Sequence, residues 1–207
     1  MTETLALGGL DITFDASVLG PRPWTMEQAA WAARLVEDAP EGPVLELCSG
    51  AGHIGLAFAR LVPRRLVMVD ADPSAYRFSR ENAHAAGLAD RVDVRLGDMR
   101  AVLTEGERFA FVLADPPYLP SSDTAMFPED PLSAVDGGAD GLAVVRLCLD
   151  VMERHLLPGG GAVLQVRDTE QAAAVDGYLE GHRRSRLSVA SLREVDGRGA
   201  LVHLRTV

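Results

Sequence analysis

The apolar run Phe109 to Ala114 reads as a buried strand, and it stops at Asp115-Pro116-Pro117-Tyr118. Prolines cannot extend a hydrogen-bonded ladder and hold the backbone extended, so the Asp115 carboxylate and the proline carbonyls are left to accept from something other than the sheet. A second cluster lies upstream. Pro43 to Cys48 reads as a buried strand entering the turn Ser49 to Gly52, and Gly50-Ala51-Gly52-His53-Ile54-Gly55 matches GxGxxG between a strand and a helix. Asp70 ends the next strand 18 residues beyond Gly52, a spacing at which a carboxylate accepts from ribose hydroxyls.

Nicotinamide dinucleotides and S-adenosyl-L-methionine both carry that ribose, and Glu46 separates them. A carboxylate just before the turn repels a pyrophosphate, whereas a methyl donor brings a sulfonium and an ammonium. Asp98, in Leu96-Gly97-Asp98-Met99, sits at the carboxyl end of another strand, where open sheets contact ligands.

The elements that must hold these residues alternate along the chain. Strands are expected at Pro43 to Cys48, Leu66 to Asp70, Val92 to Leu96, Phe109 to Ala114 and Ala162 to Val166. Between them, helical spacing runs from Ile54 to Leu61, Pro73 to Ala86, and Leu142 to Leu157, the last stopped by Pro158-Gly159-Gly160. Strict alternation implies a parallel α/β sheet with right-handed crossovers. A helix near Glu170 to Leu179 then leads to Arg186 to Leu192 and Ala200 to Leu204, joined at Asp196-Gly197, which reads as a closing hairpin. Ahead of the core, Thr4 to Leu7 and Asp11 to Phe14 suggest a small hairpin around Gly8-Gly9. A helix follows from Thr25 to Val36, with Thr25 as N-cap. The Pro116 to Gly141 stretch is a candidate functional loop.

The order of glycine turn, Asp70, Gly97-Asp98 and Asp115-Pro-Pro-Tyr118 resembles the class I S-adenosylmethionine-dependent methyltransferases with an (Asn/Asp)-Pro-Pro-Tyr motif. Phe14 to Thr25, with Pro21-Arg22-Pro23-Trp24-Thr25, and Asp130 to Leu142, with Gly137-Gly138-Ala139-Asp140-Gly141, resemble segments of the release-factor glutamine methyltransferases. The resemblance implies a Rossmann-like fold: a mostly parallel seven-stranded sheet with an antiparallel C-terminal hairpin strand. Residues 1–40 would form the leading hairpin and helix of a single domain, and 41–207 the core.

It also implies S-adenosyl-L-methionine held by Glu46, Cys48, Gly50, Gly52, Asp70, Ala71, Asp98, Met99 and Asp115, while the five histidines, scattered without ligand spacing, point to no metal. Methyl transfer to a planar nitrogen would rest on Asp115, Pro116 and Tyr118, with Pro117 and Trp24 also facing the substrate. Such a nitrogen has a delocalised lone pair, so acceptors at Asp115 and the Pro116 carbonyl would hold its N–H groups in line with the methyl while Tyr118 stacks on the flat group.

Three positions depart from the family pattern: Cys48 stands at its first glycine, Trp24 at its glutamate and Asp115 at its asparagine. An amide can donate as well as accept, whereas a carboxylate only accepts, and the Asp form is commoner among nucleic-acid methyltransferases. On this reading the chain is expected to lack the family's N-terminal helical domain. In this it resembles shorter relatives that use a small activating subunit. Three acceptors therefore remain open: a glutamine amide in a protein such as a release factor, an exocyclic base amine, and a small metabolite. A non-catalytic cofactor-binding scaffold is a further reading.

Composition bears on the acceptor. The chain has 207 residues and a net charge of −10, and all 20 basic residues are arginine. This excludes Schiff-base and P-loop lysine chemistry and disfavours tight binding to a phosphate backbone. The Arg183-Arg184-Ser185-Arg186 cluster is the one candidate RNA contact. Cys48 and Cys148 match no CxxC or disulfide framework, and the first ten residues carry no signal-peptide pattern; together they suggest a cytoplasmic protein. Trp24 and Trp31 are expected near the cofactor entrance, as a lid, a substrate platform or core packing.

Overall fold

The computed structural model describes residues 1–182, 185–195 and 197–206. Arg183, Arg184 and the turn residue Asp196 lie outside the described residues. A two-stranded hairpin, β1 (Glu3–Leu7) and β2 (Leu10–Phe14), precedes α1 (Met26–Leu35). The core then runs β3 (Val44–Leu47), α2 (His53–Leu61), β4 (Leu66–Asp70), α3 (Pro73–Ala85), β5 (Val92–Leu96), α4 (Met99–Val102) and β6 (Phe109–Ala114). After α5 (Leu132–Val135) come α6 (Ala143–His155), β7 (Leu156–Val166), α7 (Thr169–Gly181), β8 (Leu187–Glu194) and β9 (Ala200–Thr206).

The seven core strands pair in the order β5-β4-β3-β6-β7-β9-β8. Strands β3 to β7 are mutually parallel, while β9 runs antiparallel to both of its neighbours. The chain winds outward from β3 through β4 to β5, then crosses back to β6. That reversal opens a crevice at the carboxyl ends of β3 and β6, where open α/β sheets bind ligands.

Both faces of the sheet are covered, and alternation along β3 divides its side chains. Val44 and Glu46 face α1, α2 and α3, whereas Leu45 and Leu47 join Val145, Leu149 and Met152 of α6 on the other face. A parallel strand buried on both sides reads as continuous apolar sequence, and Glu46 is the exception.

Three local expectations change. Thr25 does not cap α1 with its side chain. The residue is already helical, because Pro23–Thr25 forms a 3-10 turn, and its hydroxyl donates to the Arg22 carbonyl instead. The fifth core strand begins at Leu156, with Pro158-Gly159-Gly160 inside it. Phe109 pairs with Leu156 and Phe111 with Gly161, so Leu157 to Gly160 bulge out where Pro158 has no N–H to give. The 116–141 stretch is not bare loop. It holds a 3-10 turn at Thr124–Met126, α5, and a bridge between Leu119 and Asp136.

Candidate active site

At the end of β3 the backbone turns through left-handed conformations at Cys48 (φ 59), Gly50 (φ 53) and Gly52 (φ 84). Cys48 is the non-glycine member, and a side chain there carries strain of about 1–2 kcal/mol. The turn is held from β4. Asp70 accepts from the Gly50 N–H at 2.8 Å through one oxygen and from the Asp72 N–H at 2.9 Å through the other. Burial raises the Asp70 carboxyl above its ordinary value. Beside it lies a cavity of about 450 Å³ bordered by Cys48, Gly50, Asp70, Ala71, Asp98, Met99 and Asp115.

Glu46 and Gly52 stand behind that wall. The Glu46 carboxyl points into the α2 side of the sheet, where Oε1 accepts from the Gly55 N–H at 2.8 Å. Its Oε2 is buried with no partner among the described residues, and desolvation pushes the group up to about 8. A Cβ on Gly55 would collide with that oxygen, so the last glycine of GxGxxG makes room for Glu46. The expected contact between Glu46 and a bound cation is therefore corrected: alternation along β3 aims this side chain at the helix start and away from the cavity. Asp98 is an exposed rim residue. It caps α4 and pairs with Arg100 at 2.6 Å, which holds its carboxyl down at about 2.

A second cavity, of about 630 Å³, opens on the other side of Asp115 and is bordered by Trp24, Pro116, Tyr118, Phe127, Asp130 and Arg198. Asp115 and Pro117 belong to both cavities. Desolvation raises the Asp115 carboxyl to about 7, and no hydrogen bond from the described residues counters it. Tyr118 is held by its backbone: its carbonyl accepts from Gln171 Nε2 at 2.8 Å, and burial pushes its hydroxyl up.

Trp24 and Trp31 do not share an entrance. Trp24 borders the second cavity, with the guanidinium groups of Arg198 and Arg22 at 4.9 and 5.9 Å from its ring. Trp31 is buried in the core, edge-on to His203 at 5.9 Å. Trp24 lies in the 3-10 turn Pro23–Thr25 ahead of α1, whereas Trp31 is on α1 itself.

Several contacts at the site were invisible as sequence signals. Gln28, fully buried on α1, donates to the Ala114 carbonyl at 2.9 Å and the Val163 carbonyl at 3.0 Å, tying β6 to β7 just before Asp115. Arg22 clamps both oxygens of Asp130 at 2.8 Å. The thiols of Cys48 and Cys148, 100 residues apart in sequence, meet beside Met99, and that contact, followed by burial, raises the Cys48 thiol. His53 borders the first cavity and reaches Thr25 Oγ1 at 3.0 Å. Arg22, Asp130, His53 and Cys48 lie in segments the sequence marks, but no motif marks these contacts, each of which joins residues distant in sequence.

The first cavity suits S-adenosyl-L-methionine. A Cβ on Gly50 would meet nothing within 4 Å, so the turn presents open backbone there. The carboxylates of Asp70, Asp98 and Asp115 give it an acceptor-rich border. Among the described residues no group of three His, Cys, Asp or Glu side chains could hold a metal ion.

The strand order and a ligand crevice ending on Asp-Pro-Pro-Tyr define a class I methyltransferase fold. Residues 29–127 match the family model described as Methyltransferase small domain. The chain is 31% identical to the release factor glutamine methyltransferase of Mycolicibacterium smegmatis, over 98% of this chain and 72% of that protein. It is 36% identical to the enzyme of that name from Gloeobacter violaceus, over 76% of this chain and 57% of the relative. The chain belongs to the release factor glutamine methyltransferase family, although it spans less than two thirds of the Gloeobacter relative's length. The catalytic domain of hMettl16, solved with a MAT2A 3'UTR hairpin, superposes with a TM-score of 0.75 at 15% identity, over 96% of this chain and 74% of that one.

Proposed function

We propose that this protein transfers the methyl group of S-adenosyl-L-methionine to the side-chain amide nitrogen of a glutamine in a protein of release-factor type. The observation that carries the proposal is the meeting of the two cavities at Asp115 and Pro117. Cys48, Gly50, Asp70, Ala71, Asp98 and Met99 would hold the donor, which supplies an electrophilic methyl on a sulfonium. Glu46 and Gly52 support that binding from behind, by shaping the turn.

On the other side, the Asp115 carboxylate and the Pro116 carbonyl each accept an N–H of the amide, aiming the nitrogen into the junction. With its carboxyl near 7, Asp115 is also basic enough to take the proton the nitrogen sheds once methylated. Tyr118, its carbonyl held by Gln171, offers its ring against the planar amide.

Two features of the outer mouth favour a protein acceptor. Met126, Phe127 and Leu132 of the 119–140 segment are exposed apolar side chains. Two of the mouth's arginines are neutralised, Arg22 by Asp130 and Arg167 by Asp123 at 2.6 Å, which leaves little cationic surface for a phosphate backbone. Among the described residues no helix is long and apolar enough to cross a membrane.

Purified protein with labelled donor and a release factor should yield methylglutamine in the peptide mass spectrum. Transfer to RNA or to a metabolite in a cell extract, with none to protein, would overturn this acceptor while keeping the methyl transfer.

A further inference from the structure

We propose that His53 is a donor-binding residue whose Nδ1 accepts a hydrogen bond from the ammonium of the methyl donor. The inference rests on reading the Cys48-to-Met99 cavity as the donor site, and it adds a group that no motif marks. His53 is the first residue of α2 and borders that cavity.

The hydrogen bonds assign the ring proton. Thr25 Oγ1 lies 2.7 Å from the Arg22 carbonyl and 3.0 Å from His53 Nε2. A carbonyl only accepts, so the single hydroxyl proton of Thr25 goes to Arg22. Thr25 must then accept from the ring, which places the proton on Nε2 and leaves Nδ1 with a bare lone pair. That nitrogen is buried and has no partner among the described residues. Burial also keeps the ring neutral, pushing it down to about 4. A desolvated acceptor of this kind gains strongly from an incoming N–H, and more from a charged one.

Topology selects which end of the donor arrives there. In the strand order β5-β4-β3-β6, Asp98 follows β5, Asp70 ends β4 and Asp115 follows β6. A donor with its adenosine over Asp98 and Asp70 and its methyl toward Asp115 carries its amino-acid end to the side walled by His53, Thr25 and Arg22. A carboxylate would face a lone pair at Nδ1 and be repelled, whereas the ammonium brings N–H groups. Glu46, the residue whose charge suggests this task, is turned to the Gly55 N–H.

The test compares S-adenosylhomocysteine with its desamino analogue, in which hydrogen replaces the ammonium, by calorimetric titration. Wild type should prefer S-adenosylhomocysteine by about tenfold or more. His53→Ala should lose that preference, and so should His53→Gln, which rebuilds only the contact to Thr25. His53→Asn, whose Oδ1 falls near the position of Nδ1, should keep most of it. Equal preference in wild type and His53→Ala overturns the proposal, as does retention by Gln with loss by Asn.

Nitrogen-15 spectra of the wild-type ring supply a readout independent of any variant's folding. They should show the Nε2–H form at pH 7, with the Nδ1 signal moving on addition of S-adenosylhomocysteine and not of the desamino compound; the opposite tautomer overturns the assignment. A wild-type protein that binds neither compound overturns the donor reading of the cavity, and His53 with it.

Discussion

The two cavities that meet at Asp115 are built differently. On the donor side the determinants lie at strand ends and in one tight turn, and backbone amides fasten them: Gly50 and Asp72 to Asp70, Gly55 to Glu46. On the acceptor side the walls come from segments far apart in sequence, and side chains fasten them: Arg22 to Asp130, Arg167 to Asp123, Gln171 to the Tyr118 carbonyl. A backbone-held turn tolerates few changes and repeats with fixed spacing. A mouth held by partly exposed ion pairs can change residue by residue while the junction stays in place, because such pairs contribute little each.

The sharpest way to break this contrast is at the junction. Asp115→Ala should lower kcat by on the order of 10²-fold or more while changing the donor Kd only a few-fold, as single-turnover rates and calorimetry would show. Equal losses in both would make Asp115 a donor residue. Its raised carboxyl, at about 7, adds a pH signature. The ionised form is the acceptor, so kcat should rise as pH climbs through 7, and Asp115→Asn should flatten that rise along with lowering the rate.

Next in size is the buried carboxyl behind the turn. Glu46 moves from an ordinary 4.5 to about 8 on folding, so its contribution favours the folded state below 4.5 and is lost as pH rises toward 8. Over that window the cost accrues at about 1.4 kcal/mol per pH unit. Glu46→Gln should remove this slope in urea unfolding measured at pH 5 and pH 8. An unchanged slope would mean the carboxyl is not desolvated in solution.

Asp130→Asn, on the acceptor side, should raise the KM for the protein acceptor a few-fold and leave the donor Kd unchanged. A shift in donor affinity would show that the two halves are coupled through Arg22. The smallest effect is expected at Cys48. Cys48→Gly relieves a left-handed side chain worth about 1 kcal/mol, offset in part by the lost contact with Cys148 and by a freer unfolded chain, so thermal unfolding should move by only a few degrees.

The strands Leu66 to Asp70, Val92 to Leu96 and Phe109 to Ala114 were legible to the residue, because each is an apolar or alternating run bounded by charge, glycine or proline. Asp70 was legible for a related reason: its distance from the turn follows from one helix and one strand of ordinary length. Residue type alone misled at Glu46, whose negative charge suggested a cation contact, since which face a strand residue takes depends on the register of its neighbours. Thr25 was read as a cap from its position, yet the preceding Pro23 starts a helical turn earlier and frees the hydroxyl for Arg22 and His53.

By itself, then, the sequence determined the alternating α/β order, the glycine turn with its distal carboxylate, and the strand stopped by two prolines, because all three are local and follow from backbone geometry over a few residues. Tertiary structure alone decided which carboxylates face the cavity, that Gln28 ties β6 to β7, that Cys48 meets Cys148, and that Arg22, Thr25 and His53 form one wall. Those relations join residues whose only connection is through packing, and no periodicity along the chain encodes them.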